Sequence, residues 1–189
     1  MAQGYVTIGH ATYLQWRTNT LGQAYDVDGA YGCQCWDYTA EFWWNVGFPA
    51  GYPLTGPNSS AYECWSVNRY NNISYGGETY FDLVNSINDV QTGDVLVWDH
   101  STSWVNGHIA FADEDYDGSG YIWVLGQNQG GPILPSGGTA VDRHRLPVTN
   151  FLGAFRYRAW HVPPPTPTET TKRFPWVLYS HKLRNIRNR

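Results

Sequence analysis

Residues 26–48 read DVDGAYGCQCWDYTAEFWWNVGF. From Gln34 onward, Cys35, Tyr38, Phe42 and Trp43 recur near the 3.6-residue period of a helix with one apolar face, and Gly47 followed by Pro49 stops the run. A helix is therefore predicted over about 34–46. Cys35 falls at its start, where unpaired backbone N–H groups and the positive end of the helix dipole favour a thiolate over a thiol. A nucleophile belongs at that position, which makes Cys35 the candidate.

Upstream, residues 1–24 read as a short helix anchored by Tyr13, Leu14 and Trp16 and stopped by Gly22. Downstream, residues 48–76 are rich in Gly, Pro, Asn and Ser, a long loop with one helical turn around 60–67. The period then changes. DVLVWD (94–99), HIAFAD (108–113), YIWVLG (121–126) and GAFRYRAW (153–160) are apolar or alternating runs separated by turn residues, and they are read as strands. DEDYDGSG, between the second and third, carries the Asp-Gly signature of a hairpin turn and is read so in preference to a separate cation site. Helices first and an antiparallel sheet afterwards predict an α+β fold.

The chain has 189 residues, 42% of them hydrophobic, enough for one core. The globular body is expected over 1–160, followed by a Pro/Thr-rich linker at 161–171 and a basic tail at 172–189. The tail has three readings: an anchor for an anionic polymer, a segment that orders on a partner, or a solvated extension. Ten Trp and fourteen Tyr supply amphipathic rings suited either to a core or to a groove that holds sugar and peptide faces.

Every acidic residue lies at or before Glu169, while Lys172, Arg173, Lys182, Arg184, Arg187 and Arg189 crowd the end. An acidic body argues against nucleic acid or an anionic membrane as its partner, because phosphate neutralisation needs clustered Lys and Arg. The N-terminal MAQGYVTIGHATYLQW has no basic start followed by an apolar run, and no window approaches a bilayer span. The reading is a protein made without a signal peptide in the cytoplasm and not inserted in a membrane. With three cysteines, at least one thiol is expected to be free, although a Cys33–Cys64 pair stays open.

A nucleophilic thiolate needs a base and a group that orients the base. Of the six histidines, His108 opens an apolar strand after Gly107 and is the best placed; His10, His100, His144, His161 and His181 lie in the N-terminal helix, in loops, or near the tail. The next strand ends in VLGQNQGG, where Gln127 or Asn128 is a candidate acceptor for the imidazole N–H. The competing reading is a buried cysteine and an unrelated core histidine. Cys33 is the rival nucleophile, but it precedes the helix and gains less from the dipole.

Counting from Asp26 as the first position, Asp28, Ala30, Gly32 and Asp37 fall on the rhythm of a twelve-residue calcium loop that runs into a helix. Ala30 offers only a carbonyl, Tyr31 stands where such loops have Gly, and Asp37 is shorter than the usual Glu. A helix-capping turn is the alternative.

Taken together and in order, DVDGAYGCQCWD, TGDVLVW, NGHIAFA and VLGQNQGG resemble the CHAP domain (cysteine, histidine-dependent amidohydrolase/peptidase) of bacteriophage endolysins, a papain-like fold of the NlpC/P60 clan. The resemblance covers about residues 5–160. It implies Cys35 as nucleophile, His108 as general base, Asn128 beside the imidazole and Gln34 as an oxyanion-hole contributor with the Cys35 N–H. It also implies structural calcium held by Asp26, Asp28 and Asp37 with the carbonyls of Ala30 and Gly32. The chain departs at Gly126, where many relatives carry Glu. The function implied is peptidoglycan hydrolysis, acting on the wall from a host bacterial cytoplasm. Two alternatives stand beside it, a non-catalytic wall-binding module and a papain-like protease acting on proteins.

Overall fold

The structure, a computed structural model, describes residues 12–161. The linker and tail predicted from the sequence, and His10 and His181, lie outside the described residues.

The predicted helix at 34–46 is α2, Cys35–Asn45, with Gln34 as its N-cap residue. It buries Tyr38, Phe42 and Trp43 completely or nearly so. These three side chains meet α1 (Tyr13–Thr20) and the sheet: Phe42 packs edge-on against Trp16 at 5.1 Å and Phe111 at 5.1 Å, and Trp43 stacks on Phe81 at 4.4 Å. Such aromatic pairs add directional preference to the area they bury. α1 is shorter than the segment expected to hold it, starting at the Thr12 cap. A one-turn helix α3, Glu63–Ser66, occupies the helical turn expected near 60–67.

A two-residue ribbon, β1 (Ser74–Tyr75) and β2 (Glu78–Thr79), leads into a six-stranded antiparallel sheet. Its strands are β3 (Phe81–Val84), β4 (Val95–Trp98), β5 (His108–Ala112), β6 (Tyr121–Gly126), β7 (Asp142–Pro147) and β8 (Phe151–Tyr157), in the spatial order β3-β8-β4-β5-β6-β7. The α+β expectation holds, and DEDYDGSG joins two antiparallel neighbours. The strand expected over 153–160 is displaced: β8 starts earlier and gives way to a final helical turn, α4, Arg158–His161. β3 and β7 were not predicted. β7, DRHRLP, is an edge strand with charged residues, where backbone pairing to β6 and not an apolar face decides the structure.

Both faces of the sheet are covered, and strand alternation sorts the side chains. Val95, Val97, Ile109, Phe111, Leu125 and Phe155 face the helices, in one cluster with Cys35 and Cys64. Leu96, Trp98, Ala110, Ala112, Val124 and Ala154 face the other way, in a second cluster flanked by Trp104 and Tyr116. Among the described residues no helix is long and apolar enough to cross a membrane.

Candidate active site

α2 and β5 bring the candidate residues together. The loop before Cys35 is tied down by backbone bonds, Cys33 N–H to the Gly137 carbonyl at 3.1 Å and Thr139 N–H to the Cys33 carbonyl at 3.3 Å. Gly32 and Gly138 both have a positive φ, and a Cβ at either would overlap the carbonyl of the opposite segment, so only glycine permits this approach. All three cysteines are free thiols, and the open Cys33–Cys64 pairing is not formed.

The Cys35 sulfur lies among backbone N–H groups of Ile109, Trp36 and Cys35 itself, each of which favours a thiolate. Burial outweighs them: Cys35 is 9% exposed, and its thiol is pushed up to about 11. The expectation that the helix start alone would lower this thiol is therefore corrected, because the sulfur has lost its water.

His108 is 1% exposed, and burial pulls its imidazole down to about 4, so the ring is neutral near neutral pH. It stacks on Trp104 at 5.1 Å with Trp98 at 5.8 Å. No hydrogen bond joins the ring to Cys35: the sulfur meets the backbone N–H of the neighbouring residue, Ile109, while the imidazole sides with the Trp98 and Trp104 cluster.

The ring's partner is Gln129, whose Oε1 lies 3.2 Å from His108 Nε2. Asn128, expected there, is instead exposed and donates from Nδ2 to Gln34 Oε1 at 2.7 Å; Gln127 binds the backbone of Tyr25 from both ends of its amide. The cause is local. Asn128 has a φ of 55°, a left-handed turn that breaks strand alternation right after β6 and sends its side chain outward. Gln34 in turn donates from Nε2 to the Tyr31 carbonyl at 2.7 Å.

The acidic loop converges. Asp26, Asp28 and Asp37 each offer a carboxylate oxygen within 4.8 Å of the others. Asp37 is buried and accepts the N–H groups of Val27 at 2.9 Å and Gln34 at 2.8 Å, tying the loop to the start of α2. Its carboxyl is raised by burial, opposed by those N–H bonds, with the Asp28 charge adding to the rise. Among the described residues no Lys, Arg or His forms an ion pair with any of the three. Three carboxylates at this spacing, held by backbone N–H groups but by no ion pair among the described residues, have the donor chemistry of a hard divalent cation site.

A 710 Å³ groove lined by Leu83, Val90, Tyr116 and Arg156, among others, contains none of these candidate residues. Sequence reasoning missed Gln129, Asp142, which binds it, and Trp104. QNQGG marks the right segment, but only the turn at Asn128 shows which amide returns to the ring.

A curated relative, a D-alanyl-L-alanine endopeptidase of Streptococcus phage B30, is 38% identical over 124 residues, 64% of this chain and 25% of the relative. The chain thus spans a quarter of that protein's length. The crystal structure of wild-type endolysin LysIME-EF1 shares the α+β, papain-like fold with a TM-score of 0.56 at 22% identity, covering 77% of this chain and 62% of that one. The CHAP domain pattern matches residues 12–128, from α1 through β6 to the turn at Asn128, and the chain belongs to the CHAP domain family.

Proposed function

We propose that this chain is a cysteine peptidoglycan hydrolase that cleaves an amide bond of the bacterial wall peptide. The observation that carries the reading is the seating of the Cys35 sulfur, at the start of α2, among N–H donors that include Ile109, the residue next to His108. His108 Nδ1 takes the thiol proton, the sulfur attacks the amide carbonyl, and the resulting oxyanion is held by backbone N–H groups and the Gln34 amide. The imidazolium returns the proton to the leaving amine, and water then hydrolyses the thioester. Because no hydrogen bond joins Cys35 and His108 here, the reading requires the Cys35 side chain to turn towards the ring, which Trp104 and Gln129 hold in place, as substrate enters. The relative from Streptococcus phage B30, an endopeptidase, favours a peptide cut over an amidase cut.

Asp26, Asp28 and Asp37, with the carbonyls of Ala30 and Gly32, would hold calcium, whose charge locks the loop before Cys35 to α2. No step of the reaction passes through it.

The test is release of new amino groups from purified peptidoglycan, with mass spectrometry of the fragments and casein as the control. Cleavage of peptidoglycan alone, lost in Cys35→Ala, is the expected result. Full activity in that variant removes thiol chemistry. The burial of both Cys35 and His108 favours one rival, a wall-binding module, and binding to peptidoglycan without amine release supports it instead.

A further inference from the structure

We infer that Gln129, locked by Asp142, is the positioning residue that sets the His108 tautomer, leaving Nδ1 as the proton acceptor. This rests on the hydrolase reading and adds to it the orienting group.

The Gln129 amide leaves no choice of orientation. Its Nε2 lies 2.9 Å from the backbone carbonyl of Asp142 and 3.0 Å from Asp142 Oδ1. A carbonyl only accepts, so the NH2 end faces Asp142 and the Oε1 end faces the imidazole. The ring nitrogen opposite Oε1, at 3.2 Å, must then be the donor. A neutral imidazole carrying its proton on Nε2 has its lone pair on Nδ1. Asp142 Oδ1 behind the amide polarises it and strengthens Oε1 as the acceptor.

Rigid elements hold this chain of contacts. His108 opens β5, and Asp142 opens β7, where it pairs with Gly126 of β6. Gln129 is 6% exposed, and stacking on Trp104 fixes the ring plane. Gly126 supplies the room. Its φ is not left-handed, so the backbone does not require glycine there; a Cβ would lie 2.7 Å from Gln129 Oε1 and 3.2 Å from its Cδ. The missing side chain is the space the carboxamide occupies.

The experiment uses the full chain and Gln129→Met, which keeps volume and removes the acceptor. Nitrogen-15 NMR of the wild-type imidazoles reads the His108 tautomer directly, without any variant. An Nε2–H tautomer in the wild type, lost in Gln129→Met, is expected. kcat on peptidoglycan should then fall at least about tenfold with KM changed less than about twofold. A wild-type Nδ1–H tautomer, or an unchanged kcat in a folded Gln129→Met, overturns the inference. Cys35→Ala separates the two readings: if it stays active, the hydrolase reading fails, whereas an inactive Cys35→Ala beside a fully active Gln129→Met sinks only the role of Gln129.

Discussion

Acid should destabilise this protein through His108, and the size of the effect follows from its burial. The ring sits between Trp98 and Trp104 with one amide as its polar partner, and its imidazole is lowered from 6.5 to about 4. A folded value below the unfolded one means the stabilisation is present above the unfolded value and is lost as pH falls towards the folded one. The full difference corresponds to about 3 kcal/mol, and about 2 kcal/mol of it is lost between about pH 7 and about pH 5. The assay is urea unfolding of the wild type and His108→Gln across that window. Asp37, raised by burial, and His161, lowered by burial, titrate in both proteins, so the difference between the two curves isolates His108. The wild type should lose about 2 kcal/mol more than the variant. Parallel curves, equal within about 0.5 kcal/mol, would refute the claim that a buried neutral imidazole occupies this site.

Further outcomes follow from other parts of the molecule. A calcium chelator should lower the melting temperature and slow wall lysis, and Asp28→Asn should reduce the chelator's effect; melting and lysis that ignore chelator remove the calcium proposal. Gly153→Ala should destabilise the fold by about 3 kcal/mol or more, measured by urea unfolding, because the added Cβ would overlap the Trp65 indole beneath β8. Arg156→Met should cost about 3 kcal/mol, since the fully buried Asp94 loses bonds from Nε at 2.9 Å and from the terminal guanidinium nitrogen at 2.7 Å. Its loss should be smaller in an Asp94→Asn background, which a double-mutant cycle measures.

Much of the fold was legible because its elements obey local rules. The spacing of Tyr38, Phe42 and Trp43 marks α2, and YIWVLG marks β6 at its observed bounds. β3 and β7 were not legible: FDLV is four residues long, and DRHRLP shows its neighbour charge instead of an apolar face. Their pairing to β8 and β6 comes from partners distant in the chain.

In the site, the sequence was enough to place the candidate residues on their elements: Cys35 at a helix start, His108 at a strand start, and three aspartates whose carboxylates the loop draws together. Tertiary structure alone decided their electrical state and their partners. Whether a thiol is raised or lowered depends on the balance of solvent loss against nearby N–H groups, and that balance is set by packing. Which amide reaches the imidazole depends on one backbone angle at Asn128, and no periodicity in the sequence encodes it.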